Sequence, residues 1–113
     1  MAKYTKDLTS RFNRFKEALK GKEWRICYHE LVHFGLPDED LPAYSSRAKE
    51  IKKKEKTVIN DLRKTISSVK GARAGMLRWS NKEFKPEGAK GLGYACYSKE
   101  YWKKIHSLLL SCS

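Results

Sequence analysis

Two histidines flank a glutamate in the segment His29-Glu30-Leu31-Val32-His33, and their spacing could support metal chemistry. A helix would place the two imidazoles one turn apart on the same face, where both can bind one zinc ion. The glutamate between them could then act as a general base on a zinc-bound water. The segment is therefore a candidate hydrolytic metal site.

The same three residues resemble the HExxH helix of zinc peptidases, and the resemblance implies a minimal zinc metallopeptidase. A third zinc ligand would come from His106, Glu39 or Asp40. In the alternative interpretation His29 and His33 are surface histidines on a polar helix face. We adopt this alternative, so the sequence prediction includes no catalytic residue, no metal and no cofactor.

The basic residues of the chain are concentrated in its middle. The 113 residues carry 25 Lys and Arg against 13 Asp and Glu, a formal net charge of +12. Residues 41–73 hold ten basic residues against three acidic ones, whereas residues 1–40 hold eight against seven. This concentration favours a polyanionic partner, and nucleic acid is the best candidate. The alternative is a solvated lysine face that serves solubility.

Residues 43–70 carry an apolar seam that advances by threes and fours, apart from one gap at Glu55. Its members are Tyr44, Ala48, Ile51, Val58, Leu62, Ile66 and Val69. This spacing predicts one amphipathic helix, or two helices broken near residues 52–56 with Thr57 as the second N-cap. One face would pack on the core and the opposite face would be basic.

Helical periodicity also predicts helices over residues 4–20 and 22–34, with Gly21 and Gly35 at their ends. A last helix over residues 99–110 would be capped by Ser98. Residues 76–80 and 92–97 alternate and are rich in bulky side chains, which is typical of strands. The sequence thus predicts a single domain, residues 1–113, that is mainly α with one β-hairpin between the third or fourth helix and the last.

The stretch Thr57-Val58-Ile59-Asn60-Asp61-Leu62, with Ala48 upstream, resembles the DNA-reading helix-turn-helix of winged-helix repressors of the DeoR type. The resemblance implies a winged-helix-like fold whose wing is the predicted hairpin. Asn60 or Arg63 would then reach base edges. The alternative is one uninterrupted amphipathic helix.

Residues 90–97 (KGLGYACY) resemble the signature strand of RNA-recognition-motif domains, with Leu92 in place of the first aromatic residue. The resemblance implies that Tyr94 stacks on a base. In the alternative interpretation, Tyr94 and Cys96 pack against the helices.

We therefore predict a small basic protein that binds DNA or RNA, with a regulatory or viral accessory role. Alternatives are the zinc peptidase and a module that holds an acidic protein partner or a second copy of the chain as a homodimer. The predicted nucleic-acid-binding residues are Arg47, Lys49, Lys52, Lys53, Lys54, Lys56, Asn60, Arg63, Lys64, Arg73, Arg78, Lys82, Lys85, Lys90 and Tyr94.

Three cysteines, Cys27, Cys96 and Cys112, are too few and too widely spaced for a disulfide framework. They predict an intracellular, reducing compartment. No apolar run approaches the ~18 residues that a membrane-spanning helix needs, so no membrane association is predicted.

Overall fold

The computed structural model describes residues 3–36, 46–85, 88–89 and 99–112. The helices of these residues are α1 (Lys6–Gly21), α2 (Trp24–Val32), α3 (Ser46–Lys53), α4 (Glu55–Ser67), α5 (Ala72–Glu83) and α6 (Lys99–Leu110). Two short strands, β1 (Phe84–Lys85) and β2 (Gly88–Ala89), lie between α5 and α6. The prediction of a mainly α chain is confirmed.

The first helix forms because apolar residues recur on one of its faces. Its buried residues are Leu8, Phe12, Phe15 and Leu19. Thr5 caps the N-terminus by accepting a hydrogen bond from the Leu8 N–H. At the other end Gly21 is the last helical residue, and Lys22 adopts the left-handed conformation with φ of +55°. The sequence predicted a helix that ends at residue 20, with Gly21 as the stop. The observed helix therefore extends one residue further.

The predicted β-hairpin is wrong, because its first strand, residues 76–80, lies inside α5. The buried positions of α5 include Ala72, Gly75, Met76 and Ser80, which share one helical face. Three of these four side chains are small or absent, so the face lacks the bulky apolar residues that reveal a helix in sequence. The bulky residues among positions 76–80 then show the alternating pattern that is typical of a strand.

Gly75 allows α5 and α2 to approach closely. A Cβ atom at Gly75 would lie 2.2 Å from Cγ of Trp24, well inside van der Waals contact. The indole of Trp24 therefore occupies the space that any larger residue at position 75 would need. This contact determines how α2 packs on α5.

β1 and β2 pair antiparallel, with Phe84 opposite Ala89 and Lys85 opposite Gly88. They lie within residues 81–91, which the sequence predicted to be the link between the strands. The predicted second strand, residues 92–97, lies outside the described residues, as does the RNA-recognition-like segment that contains it.

A single residue, Lys54, separates α3 from α4. Its φ of −115° and ψ of 30° depart from helical values. The Lys54 N–H still donates to the Glu50 carbonyl, and the Lys54 carbonyl accepts from the Val58 N–H, both at 3.0 Å. Of the two alternatives left open by the sequence, two helices broken near residues 52–56 is the one observed, but Thr57 is not the N-cap, because α4 begins at Glu55.

This kink overturns the winged-helix interpretation. A helix-turn-helix joins its helices through a turn of about three to four residues at a steep angle. Here a single residue, Lys54, joins the two helices, so a turn of that length is missing; we call α3 and α4, joined at Lys54, the kinked rod. The predicted wing is also absent from the described residues, since residues 76–80 are helical.

The apolar seam of the rod faces the core, as predicted. Ile51, Val58, Leu62 and Ile66 are fully buried, and Val69 is partly buried. Tyr44 lies outside the described residues. The core is completed by α6, whose buried residues are Tyr101, Trp102, Ile105, Leu108 and Leu109. The face of the rod opposite the seam is left to solvent.

Candidate functional site

Four exposed lysines, Lys49, Lys52, Lys53 and Lys56, lie on the solvent face of the kinked rod, and we call them the lysine stripe. Lys49, Lys52 and Lys53 lie three or four residues apart on one face of α3, and Lys56 lies in the first turn of α4. Within the described part of the chain, none of them forms an ion pair. With respect to the described residues, the stripe is therefore a row of uncompensated positive charges.

The same face continues along α4 through Asn60, Arg63 and Lys64. The Arg63 Nε donates to the Ser111 Oγ at 2.8 Å, and its guanidinium also donates to the Asn60 Oδ1 at 3.2 Å. Arg63 thus holds the C-terminal end of α6, where cations stabilise the exposed carbonyl groups. Lys64 is exposed and extends the positive face.

Two predicted cations at the rod are engaged elsewhere. Lys54 donates to the Lys3 carbonyl at 3.0 Å and pairs with Glu50 at 3.1 Å. Arg47 lies 3.8 Å from the Asp7 carboxylate. Both side chains connect the rod to the N-terminal part of the chain, and neither belongs to the stripe.

Glu50 anchors that N-terminal contact. Its carboxylate accepts hydrogen bonds from the Thr5 backbone N–H, at 3.0 Å, and from the Thr5 hydroxyl. Burial alone would raise the pKa of Glu50, but the bonds from Thr5 and the Lys54 ammonium outweigh it and lower the pKa. The carboxylate is therefore charged at neutral pH and holds the kink against the start of α1.

Three further predicted cations lie on α5. Arg73 donates to the Leu110 carbonyl at 3.4 Å, so, like Arg63, it contacts the C-terminal end of α6. Lys82 lies 4.7 Å from the ring centroid of Trp79, and Arg78 is exposed. Arg25 of α2, which the sequence prediction did not include, also lies 5.2 Å from the Trp79 ring.

Three predicted site residues fall where the structure gives no side-chain description. They are Lys85, Lys90 and Tyr94. Their assignment as nucleic-acid-binding residues stays a prediction.

The candidate metal segment does not form a metal cluster among the described residues. Glu30, the would-be general base, is largely buried and pairs with Arg11 at 3.3 Å and with Arg14 at 3.2 Å. The rings of His29 and His33 lie side by side, with centroids 4.3 Å apart. No group of three metal-ligating side chains occurs in the described ranges. The carboxylate that would activate water is instead neutralised by two guanidinium groups.

The two described cysteines, Cys27 and Cys112, are buried free thiols. Burial raises the pKa of Cys27 to about 11, so the thiol stays protonated at neutral pH. A protonated thiol is neither a nucleophile nor a metal ligand. Cys27 is therefore a packing residue of the hydrophobic core.

A groove between α1 and α4 was not predicted from the sequence. It has a volume of about 410 Å³ and includes Asn13 and Lys16 from α1 and Lys64 and Thr65 from α4. The α1 residues recur on one polar face, which the sequence does display. Their position opposite α4 depends on the tertiary fold and could not be predicted from the spacing of residues in the sequence.

Comparison of the chain with protein-family models, curated proteins and solved structures found no match. Among the described residues, no helix has both the length and the apolar character that crossing a bilayer requires. Inference about function therefore rests on the geometry of the chain itself.

Proposed function

We propose that the protein binds nucleic acid through the lysine stripe. One observation carries the proposal: four exposed lysines follow one another along α3 and the first turn of α4 and form no ion pair with any described residue. Elsewhere many cations do pair, as Arg11 does with Glu30 and Lys104 with Glu55. The stripe is thus a concentration of charge that no described acidic side chain compensates.

The spacing of the stripe suits a phosphate backbone. Lys49 and Lys53 are four residues apart, which is about 6 Å along the axis of α3, and Lys56 follows in the first turn of α4. One strand of B-DNA presents a phosphate every ~3.4 Å along its axis, so the stripe faces about three phosphates. Contacts to phosphate carry no sequence information, so we expect affinity with little base preference for DNA or RNA.

Fluorescence anisotropy with labelled DNA and RNA tests the proposal through a variant with the four stripe lysines changed to Gln. The matched control changes four exposed lysines outside the stripe to Gln: Lys6, Lys20, Lys22 and Lys103. Both variants lose the same charge. At moderate salt we expect the stripe variant to lose about a hundredfold in affinity and the control less than about fivefold.

Equal losses in the two variants would show that net charge, and not the stripe, carries binding. No binding of any nucleic acid by the wild-type protein at low salt would overturn the proposal. The acidic protein partner would then be the prediction to test. The zinc peptidase is not proposed, because Arg11 and Arg14 hold the carboxylate of Glu30.

A further inference from the structure

The groove between α1 and α4 has the size and lining of a small-ligand site. Its volume of about 410 Å³ lies in the range of ~300–1,000 Å³ that such sites occupy. Tyr4 and Phe12 form the apolar floor, with their rings stacked on each other at a centroid distance of 5.2 Å; Phe12 is 5% exposed, so Tyr4 supplies most of the accessible ring surface. A ligand here would meet an apolar surface inside a polar rim.

Each flanking helix contributes one polar face to the groove. Asn13 and Lys16 come from α1, and Lys64 and Thr65 come from α4. The amide of Asn13 is exposed and can both donate and accept hydrogen bonds. The Thr65 hydroxyl donates to the Asp61 carbonyl at 2.7 Å, which leaves its oxygen lone pairs to accept.

The charge of the groove is positive despite the presence of Asp61. The Asp61 carboxylate accepts a hydrogen bond from the Tyr4 hydroxyl and pairs with the Lys3 ammonium at 2.9 Å. Lys16 and Lys64 form no ion pair within the described ranges of the chain. The two ammonium groups on the rim are therefore complementary to an anion such as phosphate.

We propose that this groove binds one nucleotide, with its phosphate on Lys16 and Lys64 and its base on the Tyr4–Phe12 floor, where Asn13 and Thr65 can bond the base edge. The inference rests on the proposed function and deepens it. Lys64 lies on the same face of α4 as Lys56, so a strand that follows the stripe along α4 reaches the groove.

A preference for single strands follows from this geometry. The bases of a duplex are paired and stacked, and placing one in a groove costs unstacking energy. An unpaired base enters at much lower cost. The protein should therefore bind a single strand more tightly than a duplex of the same length, although both present phosphates to the stripe.

The test compares two double variants on α1. The groove variant carries Asn13→Ala and Lys16→Gln, and the control carries Ser10→Ala and Lys20→Gln. All four positions are exposed, so both variants should fold, and both lose one positive charge. Anisotropy is measured with a mixed-sequence strand and with its duplex. A second arm titrates adenosine 5′-monophosphate and follows the Asn13 side-chain amide by nuclear magnetic resonance.

We expect the wild type and the control to bind the single strand about tenfold more tightly than the duplex. The groove variant should lose this preference, with duplex affinity unchanged. Wild-type protein without the preference, or a groove variant that keeps it, would overturn the inference and leave the stripe proposal intact. If no strand binds but the monophosphate shifts the Asn13 amide, the stripe proposal fails and the groove stands as a site for the free nucleotide. If nothing binds, both fail.

Discussion

The chain has two basic regions, and the fold uses their charges differently. In the first, Arg11 of α1 and Arg14 one turn further both pair with the largely buried Glu30 of α2. In the second, the lysine stripe lies on the solvent face of α3 and α4 without a described partner. Positive charge alone therefore does not mark a binding surface. In our proposal the binding surface consists of cations that have no counter-ion among the described residues.

Residue type agrees with this division. The planar guanidinium of arginine matches a carboxylate and is weakly hydrated, which suits a partly buried pair. The ammonium of lysine is strongly hydrated and sits on a flexible stem, which suits an exposed contact with phosphate. The Arg11 side chain is 18% exposed and the Arg14 side chain 67%, whereas all four stripe lysines are exposed.

The largest effect should come from the contact that positions α2, and with it Glu30. Gly75→Ala would place a methyl group on the Trp24 ring. We expect the free energy of unfolding to fall by about 2 kcal/mol, because overpacking outweighs the helix propensity that alanine gains. Urea denaturation measures the loss. Nucleic-acid affinity well below the melting temperature should be unchanged, because the stripe does not depend on this contact.

Gly21→Ala is the matched control for that prediction. Nothing lies within 4 Å of a Cβ atom at Gly21, the last residue of α1. We expect no loss of stability, and a gain of up to ~1 kcal/mol from reduced chain entropy in the unfolded state. Equal losses at both glycines would contradict the close approach of α2 and α5.

The second prediction tests whether the ion pairs of the first basic region stabilise the fold. Glu30→Gln removes the counter-ion of Arg11 and Arg14, and we expect it to lower the free energy of unfolding by about 1–2 kcal/mol. This figure is below that of a fully buried pair, because the Arg14 side chain is 67% exposed. Thermal denaturation measures the change.

Glu17→Gln provides the comparison, because Glu17 pairs with Lys20 while both side chains are more than 70% exposed. An exposed pair of this kind contributes about 0.5 kcal/mol or less. If Glu30→Gln were as mild as Glu17→Gln, the first basic region would have no structural role and the contrast with the stripe would disappear.

The long apolar faces could be predicted from the sequence, and α5 could not. Leu8, Phe12 and Phe15 recur at helical spacing and are large, so burial follows directly from periodicity. The core face of α5 contains Ala72, Gly75 and Ser80, which carry little hydrophobic signal. Its helical character depends on Trp24 of another helix filling the space above Gly75.

Part of the candidate site could be predicted from the sequence, because the apolar seam shows which side of α3 and α4 faces solvent. Exposure of Lys49 and Lys56 follows from their position opposite Ile51, which the seam defines. The roles of Arg63 and Arg73 depend on where the C-terminal end of α6 lies, and a single sequence does not contain that distance. Both were predicted to bind nucleic acid, and both hold α6.

The smallest effect concerns pH. Burial lowers the pKa of His33 below its ordinary value of 6.5, and the neighbouring His29 and Arg11 lower it further, while Glu30 opposes them. The unfolded chain therefore takes up this proton first, and the stability that the neutral imidazole contributes is lost as pH falls below about 6.5. We expect the free energy of unfolding to decrease by less than about 1 kcal/mol between neutral and mildly acidic pH.

His33→Gln should remove this pH-dependent loss, as measured by urea denaturation at the two pH values. The stripe variant should keep it, because lysines remain charged throughout the range. A His33→Gln protein with the wild-type pH response would show that His33 does not titrate with folding.

The salt dependence of binding tests the central claim most directly. The logarithm of the affinity for duplex DNA is plotted against the logarithm of the salt concentration for the wild type, the stripe variant and the Lys6, Lys20, Lys22 and Lys103 control. Each lost phosphate contact lowers the slope by about 0.9, so the stripe variant should lose about 3–4 units and the control less than about one. An unchanged slope in the stripe variant would contradict the assignment of this surface.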